Sequence, residues 1–418
     1  MDNPEAAPHI WNMDSDILIV GGGLNGSALA LALAQGGISS IIVDSLTPDH
    51  RAAADFDGRG YALALASTRM LSAIGLWGDL GGQAQPILEV KVSDGRAGEG
   101  PSPFFLHFDE AEIEDGPMGY MIEDRILRPA LLTAIKDQPL ITHFAPETVV
   151  AQKVTGSGAE VTLASGKVLR GHLIVGADGR QSGTAMRAGI KRTGWSYNQT
   201  SLVCAIAHEA PHQGIAHQFF MPSGPLAILP LPGNKSSIVW TETSARAAEI
   251  QAMDDAGYLD VLRPRFGNFL GEISLAGARF TYPLSLSLAQ SFIAPRVALI
   301  GDAAHGLHPI AGQGLNAGFR DMAALAEVVI GAKRRGQDIA NPVALNEYQR
   351  WRRFDTTTLA VATDSFNRLF SNDNSSLRLL RDLGMGAINA FPGIRRRFMR
   401  EAAGLTGDLP KLMQGRAP

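Results

Sequence analysis

The residues of this chain that could do chemistry fall into three glycine-flanked groups. The first is Gly21-Gly-Gly-Leu-Asn-Gly26, with the G-x-G-x-x-G spacing at Gly21, Gly23 and Gly26 and an acid, Asp44, eighteen positions after the last glycine. Glycines at those positions permit a tight turn, close approach of a pyrophosphate and close helix–strand packing. An acid at that offset hydrogen-bonds a ribose hydroxyl and would repel a 2′-phosphate, so NAD or FAD fits better than NADP. The second group is Gly176-Ala-Asp178-Gly179. The third is Gly301-Asp302, followed by a loop with Gly306, Gly312, Gly314 and Gly318. Asp302 suits hydrogen bonding to a polyol. A helix starting near Gly314 and Leu315 would present partial positive charge to a ring that becomes anionic when reduced. Arg59 and Arg125 are candidates for a phosphate or the adenosine, whereas Arg128 reads as part of a solvated face.

These groups need elements to position them. Asp16-Ile-Leu-Ile-Val20 reads as a buried strand, Ser27 to Gln35 as an alanine- and leucine-rich helix ended by Gly36-Gly37, and Ser40-Ile-Ile-Val43 as a second buried strand. Short apolar runs before Asp178 and Asp302 read the same way. Gly21, Asp178 and Asp302 are then delivered to the carboxyl edge of one parallel sheet, where such sheets bind ligands. Their convergence builds a single site. The regular βαβ rhythm stops after the second strand. Residues 81–119 are loop-rich with short alternating segments. Ile122 to Leu132 reads as helix, and Val149 to Leu169 as a β-meander. Gly194 to Ala278 is a series of short strands split by Pro and Gly. It reads as a separate sheet covering the reactive edge, with Phe219, Phe220, Leu229 and Trp240 either lining a pocket or packing a core. From Asp321 on the chain is helical, with Pro342 to Asn367 as one long helix or two joined ones.

Composition narrows the class. The chain has 418 residues, 45% hydrophobic and 19% charged, enough for two or three domains with a large core. A net charge of -4 makes no case for nucleic acid. Cys204 is the single cysteine, which excludes an intramolecular disulfide and a cysteine-rich metal site. No apolar run reaches transmembrane length, and the first 13 residues lack a signal-peptide pattern, so a cytoplasmic protein is expected. His305 and His308, three positions apart, have no third ligand in register, and no metal is expected.

Taken in order, these motifs resemble the group A FAD-dependent aromatic hydroxylases, whose type member is para-hydroxybenzoate hydroxylase. More narrowly, Gly301-Asp-Ala-Ala-His305 running into His308-Pro-Ile-Ala-Gly-Gln-Gly-Leu-Asn316 is similar to the ubiquinone-biosynthesis hydroxylases. So are Tyr348-Gln-Arg-Trp-Arg-Arg-Phe-Asp355 and Thr363-Asp-Ser-Phe-Asn-Arg-Leu-Phe-Ser371. The likeness spans roughly residues 14 to 405. It implies an α/β fold: a Rossmann-like FAD-binding domain (14–80, 118–182, 281–340), an inserted β-sheet substrate domain (81–117, 183–280) and a helical C-terminal region (341–418). It implies bound FAD, a visiting NAD(P)H, and O2 activated as a flavin C4a-hydroperoxide that hydroxylates a polyprenylated phenol. The protein then holds the ring, excludes water and orients the phenol. The resemblance places Arg59 and Arg125 on the FAD, and Pro309 and Ala311-Gly312-Gln313-Gly314 along the flavin. One departure is visible. After Gly-Ala-Asp-Gly the family carries Ser-x-Val-Arg, but here Ser182 precedes Gly-Thr-Ala-Met-Arg187 and Ala185 holds the arginine's place. No catalytic acid or base for the phenol is identifiable.

Two alternatives share the motifs: an FAD hydroxylase of another aromatic, and a non-catalytic FAD-binding scaffold of a biosynthetic complex. A halogenase of the same fold would carry Trp-x-Trp-x-Ile-Pro, which is absent. Between Leu377 and Arg400 six arginines stand against one aspartate amid apolar residues. This tail either packs on the FAD domain, its arginines pairing with acids there, or docks the enzyme peripherally on the inner membrane face or on a membrane-bound complex.

Overall fold

The computed structural model describes residues 12–52, 57–98, 100–308, 312–371 and 375–418. A six-stranded sheet forms the nucleotide side, with Val297–Leu299, Leu173–Gly176, Ile17–Val20, Ser40–Val43 and Ile141–Phe144 parallel in that order and Ile293–Ala294 antiparallel at one edge. Its central strands are buried throughout, as the unbroken apolar runs require of a sheet covered on both faces. Burying each Ile, Leu or Val there contributes about 1.5–3 kcal/mol. Leu24–Gln35 and Gln313–Arg334 pack on each other and share this core.

The β-meander is a separate three-stranded sheet, Val149–Val154, Ala159–Leu163 and Val168–Gly171. A second three-stranded sheet joins Gly60–Ala64, Gly119–Glu123 and Gln85–Ile87. The helix read from Ile122 therefore starts later, at Asp124–Lys136, because Ile122 is paired in a strand.

The largest sheet has nine strands. Arg192–His208 is its longest and pairs with Phe280–Ala289 on one side and Lys235–Thr243 on the other. Glu89–Arg96 and Gly100–Asp109 join from the earlier loop-rich segment through Ile215–Met221. The sequence boundary at residue 281 falls inside Phe280–Ala289, which runs in this large sheet. Ser244–Gln251 and Asp255–Phe266 cover one face, over a core that includes Phe219 and Trp240. Phe219 and Trp240 thus pack in a core with these helices. Phe220 and Leu229 pack in other clusters, Phe220 stacking on Phe370 at 4.0 Å.

The C-terminal region is one unbroken helix, Pro342–Phe370, followed by Ser375–Ala390 and Pro392–Ala402. Asn341 caps the long helix by accepting from Ala344 N at 2.9 Å, with Pro342 at its first turn. Among the described residues no helix is long and apolar enough to cross a membrane.

Candidate functional site

Four strand ends deliver the motif residues to one edge. Val20 is level with Gly176 and Val43, and Gly176 with Leu299. Gly21, Asp44, Asp178 and Asp302 therefore leave the sheet side by side. Gly21 has φ +108°, and a Cβ there would collide with the Ala177 carbonyl. A Cβ on Gly26 would strike the Gly21 carbonyl, so the helix rests directly on the loop. Gly23 is different: nothing lies within 4 Å of its Cβ position, so the protein itself does not demand glycine there. Space at that point, against the first turn of a helix with neither side-chain cap nor acid, fits a pyrophosphate.

The other acids are engaged by the chain. Asp44 is buried and ion-paired with Arg51, whose Nη2 donates to Oδ1 at 2.7 Å. Asp178 receives Ser182 Oγ, Thr184 N and Thr184 Oγ1, the last two at 2.9 Å, and so fastens the start of helix Gly183–Arg187. Asp302 is the open one, its side chain 41% exposed, with Arg180 Nε donating to Oδ2 at 3.1 Å. Arg192 donates to the carbonyls of Asp302 and Ala303 and ties this turn to the large sheet.

A buried polar cluster fixes the same turn from behind. Asp321 Oδ2 accepts from Gly301 N at 2.9 Å and pairs with His305 Nε2 at 2.5 Å, while Oδ1 accepts from Arg352 Nε at 2.9 Å. Burial pushes the Asp321 carboxyl up, but His305 and Arg352 outweigh it and hold its pKa below the ordinary value. An ionised carboxylate only accepts, so His305 donates from Nε2. Tyr348 Oη, also buried, donates to Leu299 O at 2.7 Å and pins the strand's last residue. Gly301 has φ +58° and faces Asn25, the residue before Gly26 in the fingerprint. Asn25 also meets Gly318, and its Oδ1 is buried without a hydrogen-bond partner among the described residues. An orphaned acceptor between the nucleotide loop and the Asp302 turn fits a bound group that donates to it.

The glycine-rich loop after Asp302 closes with Gly312 as the N-cap of helix Gln313–Arg334, again with no side-chain cap and no acid in the first turn. Gly314 has nothing near its Cβ position, and Leu315 packs on the nucleotide-side core. Asn316 uses its whole amide: Oδ1 accepts from Ala64 N and Ser67 Oγ, and Nδ2 donates to Ala62 and Gly312 carbonyls. It straps the helix start to strand Gly60–Ala64. Pro309 and Ala311 lie outside the described residues.

Arg59 is held by Asp57, with Nε donating at 2.7 Å, and Arg125 by Glu123 at 2.6 Å; both are partly exposed. Arg128 is not on a solvated face. It lies largely buried between Asp124, at 2.8 Å, and Tyr61 Oη, at 3.1 Å. The helix's amphipathic spacing concealed this, because the partner Tyr61 comes from a distant strand.

The chain matches the family model for an FAD binding domain over residues 14–358. It is 46% identical over 404 residues to the ubiquinone hydroxylase UbiL of Rhodospirillum rubrum, covering 96% of this chain and 93% of that protein. It belongs to the ubiquinone-biosynthesis family of FAD-dependent hydroxylases. A second relative, the 3-demethoxyubiquinol 3-hydroxylase of Escherichia coli, is 33% identical over 398 residues, 94% of this chain and all of that protein. The fold is that of solved flavoprotein monooxygenases. The p-nitrophenol 4-monooxygenase PnpA of Pseudomonas putida superposes with a TM-score of 0.78 at 19% identity, over 94% of this chain and 98% of that one. This hydroxylase is accordingly an FAD-dependent aromatic monooxygenase with NAD(P)H as co-substrate.

Proposed function

We propose that this hydroxylase acts on the ring of a polyprenylated phenol. The observation that carries the reading is an apolar seam beside the flavin-side loop. Leu286 of the large sheet, Leu307 of the loop, Ala317 of the following helix and Ala360 of the long C-terminal helix meet there, with Tyr197 and Leu359 against them. Bound FAD supplies the redox chemistry, passing electrons from NAD(P)H to O2. Gly21, Gly23 and Gly26 with the helix start hold its pyrophosphate, Asp44 its ribose and Asp302 its polyol chain. The amides at Gly312 to Leu315 face the ring, and Asn316 keeps that helix start in place. Arg59 and Arg125 guard the phosphate end, and Asp178 shapes its own loop. The seam excludes water and orients the phenol. The nine-stranded sheet and its two helices are the substrate-side unit.

A prenylated substrate partitions into lipid by about 0.8 kcal/mol per buried CH2. We infer a peripheral membrane contact at helix Pro392–Ala402. Phe391, Ile394 and Phe398, 60%, 47% and 42% exposed, share one face beside exposed Arg396 and Arg397. Arg395 and Arg400 are already paired with Glu112 and Asp115, so the attachment is chiefly apolar. Side chains at 377–380, 382 and 383 lie outside the described residues.

The test is turnover. The FAD-loaded protein, given NADH or NADPH, isotopically labelled dioxygen and a short-chain prenylphenol, should yield a product with one labelled ring oxygen. NAD(P)H oxidation that yields only hydrogen peroxide with every prenylphenol tried overturns the reading.

A further inference from the structure

When an electrophilic oxygen adds to a phenol ring, the ring hydroxyl must give up its proton. We infer that His308 is the group that accepts it, a step that rests on the phenol reading above. His308 is fully buried, yet neither ring nitrogen has a hydrogen-bond partner among the described residues. Buried polar groups are almost always satisfied, so a buried imidazole without a partner beside the loop after Leu307 suits a substrate hydroxyl as its partner.

Three elements build the surroundings. Tyr197 meets the imidazole edge-on, ring centres 5.1 Å apart at 76°. It reaches there because the ladder between Arg192–His208 and Phe280–Ala289 breaks between Ser196 and Gln199, with Asn198 at φ 53°. Such a break re-aims a side chain out of the sheet's alternation. Tyr197 also packs on the apolar seam beside Leu307, the residue before His308. The long C-terminal helix contributes Asp364, held by Arg368 at 2.9 Å. The Tyr197 hydroxyl and Asp364 Oδ1 make no aligned hydrogen bond, yet burial first and then the carboxylate raise the phenol's pKa, so Tyr197 stays neutral. From the Asp178 loop Arg180 donates to Leu307 O at 3.4 Å. These are the charged groups facing His308: Arg180 against protonation and Asp364 in favour. Burial, then Arg180, push the imidazole down to about 4, with Asp364 opposing. The ring is therefore neutral at working pH, with a lone pair to offer.

The step balances without a further reagent. The substrate O–H bond breaks and its proton forms an N–H bond on His308. The released electron pair moves into the ring, making the hydroxyl carbon a carbonyl as an ortho or para carbon takes OH from the oxygen donor of the FAD- and O2-dependent activity, whose O–O bond breaks and whose other oxygen leaves as an anion. That carbon's own hydrogen leaves as a proton, taken up by the departing oxygen anion, which restores aromaticity, and the carbonyl oxygen takes a proton back from the imidazolium. The poor basicity of a buried His308 suits a phenol that becomes strongly acidic only as the ring is oxidised.

The test compares wild type with His308→Ala and His308→Gln, each loaded with FAD, on short-chain phenols graded in acidity by ring fluorination. Flavin content and thermal melting establish folding. Wild-type turnover should be nearly independent of phenol acidity and flat above about pH 5. Both variants should lose about 100- to 10,000-fold on the least acidic phenol. That loss should shrink for more acidic phenols and as pH approaches their ionisation, and added imidazole should restore part of the rate in His308→Ala. Gln can accept a hydrogen bond but not a proton, so it separates the two roles if the Ala variant folds poorly. Wild-type rates in His308→Gln, or an equal loss for every phenol at every pH, overturn the assignment. A wild-type enzyme that hydroxylates none of the phenols overturns the substrate reading instead.

Discussion

Replacing Asp321 with Asn should both loosen the Gly301-Asp302 turn and destabilise the fold. Asp321 is fully buried and accepts three hydrogen bonds, from Gly301 N, His305 and Arg352. Asn keeps one acceptor oxygen, but its NH2 then faces either the Arg352 guanidinium or two other donors. Removing one partner of a buried ion pair costs about 3–5 kcal/mol, because the remaining charge is left uncompensated. At about 2 °C per kcal/mol for a large domain, the melting temperature should fall by roughly 6–10 °C. Asp321→Asn should also purify with reduced flavin, since Gly301 N loses its anchor beside Asp302. The depressed carboxyl pKa sets the pH window. Its stabilisation is present above the unfolded value of 3.8 and is lost as pH falls through the lower folded value. The gap between wild type and variant should therefore be constant above about pH 5 and narrow below 3.8. Thermal melting at several pH values, with flavin absorbance, measures both. A variant that melts within 2 °C of wild type (about 1 kcal/mol) and keeps its flavin would refute the claim that this cluster holds the turn.

Three further outcomes test the remaining assignments. Asp302→Ala should purify with little or no yellow cofactor, since hydrogen bonds to a charged group contribute about 1.5–3 kcal/mol each; full flavin occupancy would remove Asp302 from the site. Gly23→Ala should leave the apo-protein's melting temperature unchanged, because nothing lies within 4 Å of the added methyl, yet weaken FAD by roughly tenfold or more where the phosphate must approach; equal FAD affinity by fluorescence titration would place the pyrophosphate elsewhere. Phe391→Ser, Ile394→Ser and Phe398→Ser combined should abolish flotation with anionic liposomes while changing flavin content little, and unchanged flotation would rule out this helix as the lipid contact.

Local pattern alone determined much of this protein. Runs such as Ile17–Val20 and Val297–Leu299 are apolar without interruption, which only a strand covered on both faces requires, so the acids after them had to meet at one edge. The fingerprint glycines were legible for the same reason: their backbone geometry is demanded within a few residues. Tertiary structure decided what the side chains touch. Asp178 turned inward to its own helix, Arg128 was drawn into burial by a tyrosine more than sixty residues away, and Asp44 gained Arg51. His305 and His308, alike in sequence and three positions apart, received opposite environments, one locked to Asp321 and one packed against Tyr197 with no hydrogen-bond partner among the described residues. That difference arises from which distant elements pack on each histidine, the Gln313–Arg334 helix on one and a broken strand ladder on the other. Such long-range packing leaves no periodic trace in the chain.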